Sequence, residues 1–293
     1  MRQGPRIGVV VLDFGRPADA QQAARSALDP RLDVRVLIVE NASGEVAATE
    51  GGERLRLPEN RGFAGGMNAG LERLRSERCD QFLILNNDAV LEPDCLRLLS
   101  EALEDPGLAA VGPVILRAAD GRVESRGLSV DLRGGRVRIE GQGEAPDDRR
   151  GLRAAEALSG AVMMISRAAL EGVGLLDDAY FFSFEDVDWC VRARRAGLGL
   201  AVVLGARARH EGSRTIGRQS PERLYYAARN HLRCVEKLDP LPGLRRWKRR
   251  CAVLGLNLAF ALKQREVGRA AACAAVIEGY GDARAGRLGP RRL

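Results

Sequence analysis

No run of apolar residues in the chain reaches the ~18 needed to cross a bilayer as a helix. The longest candidate, Cys251 to Leu262, is short and contains Asn257. The first apolar stretch, Ile7 to Leu12, is too brief for a secretory leader and runs straight into Asp13. The chain is therefore expected to stay in the cytoplasm. Its six cysteines form no C-x-x-C pair, which argues against zinc or a disulfide framework and leaves buried thiols as the expectation. Histidine is scarce: only His210 and His231 occur. There is no Walker-type Gly-Lys-Ser/Thr, no G-x-G-x-x-G and no internal repeat. Aromatic residues interleaved with base-reading positions are also lacking, so nucleic acid is not an expected partner.

Hydrophobic residues make up 45% of the 293, enough for a sizeable core and too many for a disordered chain. The net charge of +7 is unevenly placed. Residues 221–293 hold sixteen Lys/Arg against six Asp/Glu, so the rest of the chain is net acidic. Short β-branched runs (Ile7–Leu12, Val34–Val39, Arg54–Leu57, Gln81–Leu85) alternate with helical segments (Asp19–Leu28, a stretch ending near Arg75, one opened by Pro93). That rhythm predicts βαβ units and an α/β fold with a mainly parallel central sheet flanked by helices. Residues 118–150 break it with Gly, Arg and Asp, and read as a hairpin over Gly127–Leu132 and Val137–Glu140 followed by a mobile loop near Ala145–Arg150. Ala161–Ile165 and Leu200–Leu204 return to strand. A helix is expected from Phe184 to Ala196, stopped by Gly197. Beyond Pro221 the pattern is helical.

Polar clusters close three of the strands: Asp13, Glu40-Asn41 and Asn86-Asn87-Asp88. In open α/β sheets, ligands bind outside the carboxyl ends of strands. Asp88 is placed to hold Mg²⁺ or Mn²⁺, or merely to end the strand in an Asx turn. The glycines of Asn60-Arg61-Gly62-Phe63-Ala64-Gly65-Gly66 read as a loop that offers N–H groups to a phosphate or allows close helix–sheet packing. In Ser183-Phe184-Glu185-Asp186-Val187-Asp188-Trp189, three carboxylates occupy four positions among large aromatics. One account is a capping box between Ser183 and Asp186. The other is a sugar cleft whose apolar walls raise a carboxylate's pKa toward use as a base. His210, ending the run Val202–Arg209, could ligate a metal. His231 reads as structural.

The order of these motifs resembles that of the family-2 glycosyltransferases, in particular their bacterial rhamnosyltransferase-like branch. The residues that carry the resemblance are Val39-Glu40-Asn41-Ala42-Ser43, then Asn60 through Asn68, then Leu85-Asn86-Asn87-Asp88. Ser159-Gly160-Ala161-Val162-Met163, Phe181 through Asp188 and His210-Glu211-Gly212-Ser213 follow. Tyr225-Tyr226-Ala227-Ala228-Arg229-Asn230 and Gly279-Tyr280-Gly281-Asp282 look like the family's tail. The resemblance covers roughly residues 6 to 290 and implies a GT-A fold, with a catalytic domain over 1–219 (a donor half to about 115, an acceptor half from about 116) and a basic helical extension over 220–293.

It further implies inverting transfer of rhamnose or another hexose from a nucleoside-diphosphate sugar, dTDP- or UDP-linked, to a hydroxyl of a glycan, lipid-linked or small-molecule acceptor. Asp88 matches the last residue of the family's metal motif and His210 a histidine that helps hold metal and diphosphate. Asp186 matches the general base. Phe14 falls where an aromatic stacks on the base, and Glu40 where the family usually has Asp. Gly15 replaces the usual Asn. Asp13, Asn41, Arg61, Gly62, Gly65, Asn68 and Asn87 are the remaining donor-side candidates. Gly160, Glu185, Asp188 and Trp189 are the candidates on the sugar and acceptor side. Arg245-Arg246-Trp247-Lys248-Arg249-Arg250, ahead of the apolar 251–262, suggests peripheral contact with the inner face of the plasma membrane; packing on the domain or in a homodimer is the other use. A nucleotidyltransferase is the rival enzyme reading, weakened because Gly15-Arg16-Pro17 makes a poor phosphate loop. A non-catalytic, membrane-associated scaffold would not need Asp88, Asp186 and His210.

Overall fold

The computed structural model describes residues 4–42, 53–212, 220–264 and 268–291. The turn residues Ser43 and Gly44 and the motif residue Ser213 lie outside them. The first half runs β1 (Arg6–Asp13), α1 (Pro17–Ser26), β2 (Asp33–Asn41), β3 (Glu53–Leu57), α2 (Gly62–Ser76), β4 (Gln81–Asn86), β5 (Ala89–Leu91), α3 (Cys95–Ala102) and β6 (Leu108–Arg117). Next come β7 (Val123–Ser125), β8 (Leu128–Asp131), β9 (Arg136–Ile139), β10 (Leu152–Ala154), β11 (Val162–Ser166), α4 (Arg167–Val173), a 3₁₀ turn (Asp178–Tyr180), α5 (Glu185–Arg195) and β12 (Gly199–His210). The tail is α6 (Pro221–Leu238), α7 (Gly243–Leu262) and α8 (Arg269–Arg284).

The central sheet has the order β10-β12-β6-β11-β4-β1-β2-β3. Strands β3, β2, β1 and β4 are parallel, as the βαβ rhythm requires. Beyond them the sheet is mixed, because β11 enters antiparallel between β4 and β6. Alternation along β1 shows how both faces are covered: Val10 and Leu12 join the core under α2, while Ile7, Val9 and Val11 join the core under α1. Chain order reverses at β1, which lies between β2 and β4, so a crevice opens at the carboxyl ends of these strands.

Several local expectations change. The glycines after Arg61 belong to a helix, not a loop: α2 starts at Gly62, and added Cβ atoms on Gly66 and Gly70 would collide with Leu12 and Val10 of the sheet. Close helix–sheet packing accounts for them. Helix α3 starts at Cys95 behind a left-handed Asp94, two residues after Pro93. The loop expected to be mobile is pinned, since buried Arg126 bonds the Ala145 carbonyl and Asp147, and Arg207 bonds the Asp147 carbonyl. Four cysteines are buried, but Cys251 is exposed and Cys273 half-buried. His231 is structural: its Nε2 lies 3.0 Å from the Gly135 carbonyl and its Nδ1 3.0 Å from Asn257, and burial pulls its pKa down to about 4.

Candidate active site

The crevice is lined by Leu12, Phe14, Asn41, Asn60, Asn87 and Asp88, with Phe181 and Phe182 opposite. Phe14 presents its ring there, 39% exposed. Asp13, buried beneath it, accepts the Arg16 N–H at 2.8 Å and so shapes the Phe14–Gly15 turn; burial raises its pKa, opposed by that N–H. Asn41 serves the crevice wall. Its side chain accepts the Arg61 N–H at 2.9 Å and donates to Asn60 and the Gly62 carbonyl, each at 3.0 Å.

Those bonds dispose of one expectation. The N–H groups at the start of α2 do not point at a free anion site, because Arg61 N–H goes to Asn41, Gly62 N–H to Asn60 and Phe63 N–H to the Phe181 carbonyl. Gly62 is required there: its φ is +69°, and a Cβ would strike the Phe181 carbonyl. A Cβ on Gly65 would crowd that of Arg61 at 2.9 Å, so this glycine too serves packing. Asn68 is likewise a clamp, exchanging hydrogen bonds with the backbone N–H and carbonyl of Leu176 at 3.1 and 2.9 Å. Glu40 is buried and engaged by Arg54 and Arg56 of β3, which turns its carboxylate toward the sheet edge.

Strand register assembles the next part. β12 pairs with β5 so that His210 lies opposite Ala89, and the Glu211 N–H donates to the Asp88 carbonyl at 3.0 Å. His210 Nε2 then sits 3.1 Å from Asp88 Oδ1, and its Nδ1 sits 2.9 Å from Glu124. Burial opposes a charge on the imidazole, but hydrogen bonds to Asp88 and Glu124 outweigh it and push the pKa up to about 9. Glu124, on β7, has no counterpart among the residues expected from sequence; nothing in the pattern Arg122-Val123-Glu124-Ser125 marks it. Asn86 Oδ1 and Asn87 Nδ2 are buried and have no hydrogen-bond partner, in a turn that lines the crevice.

A divalent cation fits this arrangement. Among the described residues no group of three or more His, Cys, Asp or Glu is placed to hold a metal ion by itself. Mg²⁺-like ions, however, are commonly held by one or two protein groups with the rest of the shell from phosphates and water. Asp88 and His210 Nε2 face one another and would act as two lone-pair donors once His210 gives up its Nε2 proton, with Nδ1–H kept as the hydrogen-bond donor to Glu124, the usual way an outer carboxylate orients a ligating imidazole.

The acidic cluster divides. Asp186 Oδ2 accepts the Gly160 N–H at 2.8 Å. Gly160 precedes Ala161, whose carbonyl accepts the Asn86 N–H at 2.9 Å. Asp186 is thereby tied to the Asn86–Asp88 turn. Burial raises its pKa, opposed by the N–H groups of Gly160 and Val187. Glu185 is buried with Oε2 unpartnered, and desolvation followed by the Asp186 charge lifts its pKa well above the ordinary range. Asp188 points the other way. It has no exposed surface and is bonded by Lys237 at 2.6 Å, Arg192 at 2.8 Å and Tyr180 OH at 3.1 Å, so it anchors α5 to the tail and does not reach the crevice. Trp189 is equally buried, its indole N–H on the Gly174 carbonyl at 2.8 Å; it is core, not a sugar wall. Nor is there a capping box: the residue before α5 is Phe184, left-handed at φ +75°, and no side chain caps the helix.

Three residues without a glycine's freedom, Phe181, Ser183 and Phe184, hold positive φ just before the cluster. Strain of this kind persists when the surroundings impose it. Here the tail does so. Asn230 Nδ2 lies 2.8, 2.6 and 2.9 Å from the carbonyls of Tyr180, Phe182 and Ser183. Arg229 adds a bond to the Tyr180 carbonyl at 2.8 Å while stacking over Tyr226.

A mixed sheet with helices on both faces, a crevice at the strand switch point and paired acidic sites beside it define a GT-A-type fold. The model of the family described as "Glycosyltransferase like family 2" matches residues 5–236, and the chain belongs to that family. It is 27% identical over 143 residues to a low-salt glycan biosynthesis hexosyltransferase of Haloferax volcanii, a match covering 48% of this chain and 46% of that protein. It is 21% identical over 216 residues to the dTDP-rhamnosyl transferase RfbF of Shigella flexneri, covering 69% and 71% of the two chains. Among solved structures, GalNAc-T7 with UDP, GalNAc and Mn²⁺ superposes with a TM-score of 0.63 at 12% identity, over 86% of this chain and 55% of that one. The chain thus spans about half the length of the Haloferax volcanii relative and of GalNAc-T7.

Proposed function

We propose that the protein transfers a hexose, rhamnose being the first candidate, from a dTDP- or UDP-linked donor to an acceptor hydroxyl with inversion. The observation that carries this reading is the Gly160–Asp186 bond, which holds a carboxylate of raised pKa beside the Asn86–Asp88 turn. A base of that kind, pre-oriented and partly desolvated, is suited to take the acceptor proton as its oxygen attacks the anomeric carbon. The nucleobase stacks on Phe14, and the buried, unpartnered polar atoms of Asn86 and Asn87 offer the diphosphate or sugar a donor and an acceptor. Asp88 and His210 would hold Mg²⁺ or Mn²⁺. When bound, the cation supplies charge neutralisation for the departing diphosphate. Glu124 keeps the His210 ring turned toward Asp88.

A thermal-shift panel of nucleoside diphosphates with Mn²⁺ tests the donor. Stabilisation by dTDP or UDP of several degrees over GDP and ADP is the expected result, since a ligand that binds only the folded state raises its stability. No stabilisation by any nucleoside diphosphate would refute the proposal.

A further inference from the structure

Helix α7 packs on α6 and α8 through Arg249, Val253 and Ala261, and Arg246 and Arg250 are held by Glu236 of α6. Its opposite face is open. Trp247, 61% exposed, lies on one flank of a broad open arc and Leu256, 38%, and Phe260, 53%, on the other, with Cys251, Ala252, Gly255 and Ala259 exposed between them. Arg245 and Lys248 lie on this open arc toward its N-terminal end and Lys263 toward the other, all exposed and, among the described residues, with no ion-pair partner. From Gly243 to Gln264 there is no acidic residue.

We infer that the exposed face of α7 binds in the plane of an anionic lipid surface. The charge pattern selects this occupant over a second copy of the chain. A two-fold contact through this face would bring its cations together with no carboxylate on the helix to pair them, whereas acidic headgroups complement Arg245, Lys248 and Lys263. The apolar side chains match the depth of an interfacial helix, with Trp247 at the headgroup boundary. No helix among the described residues is long and apolar enough to cross a membrane, so contact is lateral. The inference is independent of the proposed transfer chemistry, because none of these residues lines the crevice.

The chain has a built-in reporter. Trp189 is fully buried, so a change in tryptophan emission on adding vesicles reads Trp247. The full-length protein is mixed with vesicles containing a third phosphatidylglycerol, or with pure phosphatidylcholine vesicles, and followed by flotation and emission. Expected are a blue shift and at least about tenfold stronger partitioning onto the anionic vesicles, weakened by salt. Arg245→Glu with Lys248→Glu should remove most of that preference. Leu256→Ser with Phe260→Ser should lower partitioning on both while leaving the melting temperature unchanged. Absence of partitioning, partitioning unaffected by both double variants, or a dimer in sedimentation that the Leu256/Phe260 variant dissociates would each overturn the inference.

Discussion

The Gly160 N–H and the Asp186 carboxylate meet at 2.8 Å, and a Cβ on Gly160 would sit 3.2 Å from the Asp186 Cβ. The contact fixes a carboxylate whose orientation would otherwise be free, and it needs both a bare backbone on one side and a short acid on the other. Asp186→Asn keeps the size but removes the proton acceptor. Turnover should fall by at least about a hundredfold with little change in nucleotide affinity, as expected for loss of a general base. Turnover within a few-fold of the parent, at matched donor saturation, would remove Asp186 from that role. Gly160→Ala should also depress turnover, by crowding the same carboxylate, without affecting nucleotide binding.

Asp88, His210 and Glu124 make a chain whose removal should be felt in binding. Asp88→Ala, or chelation of the divalent cation, is expected to weaken dTDP or UDP binding measured by calorimetry. Glu124→Gln tests the outer position: cation affinity should drop by roughly 10–100-fold, the usual cost of losing a carboxylate behind a ligating imidazole. Nucleotide binding indifferent to chelator and to Asp88→Ala would return Asp88 to a plain strand-ending turn.

Glu185 gives a pH-dependent prediction. Its folded pKa is raised by burial and by Asp186. Below the ordinary Glu value, about 4.3, both folded and unfolded chains carry the proton and the site has no electrostatic cost. Above it, the unfolded chain ionises freely while the folded one resists, so stability is lost as pH rises from that value toward the folded pKa. Glu185→Gln does not titrate. The melting temperature of the variant relative to the parent should therefore climb between pH 4 and 8, and a difference that stays flat across that range would contradict the raised pKa.

Much of this was readable in the sequence, and the misreadings have a common cause. β-Branched runs alternating with helices specify the parallel half of the sheet because buried parallel strands must be apolar on both faces. The resemblance carried by the ordered motifs also brought Asp88, Asp186 and His210 forward as candidates. The sequence could not tell which way a given side chain of α5 faces. Asp186 and Asp188 look equivalent in composition, yet one meets Gly160 and the other Lys237 of α6. Trp189 and Asn68 were read as ligand contacts for the same reason: a large aromatic or an amide is equally useful in a core, and only tertiary packing decides. Glu124 was invisible because its importance comes from strand pairing that sets β7 beside β6, and short strands with shifted register leave no periodic trace.

Asn230 places the strongest demand on the tail. Its amide bridges three carbonyls of a segment in which Phe181, Ser183 and Phe184 all hold positive φ. Asn230→Ala would leave buried carbonyls without donors, at a cost of about 1–3 kcal/mol. Asn230→Asp keeps the size but offers only acceptors to those carbonyls, so it should be at least as damaging as alanine. Both should lower the melting temperature by several degrees, on the order of 2–4 °C per kcal/mol for a chain of this size. The loop also carries Glu185 and Asp186, so turnover should fall more than nucleotide affinity. A melting temperature unchanged in both variants, measured by calorimetry, would mean that the positive-φ segment is held by Arg229 and the Phe63 N–H without the asparagine.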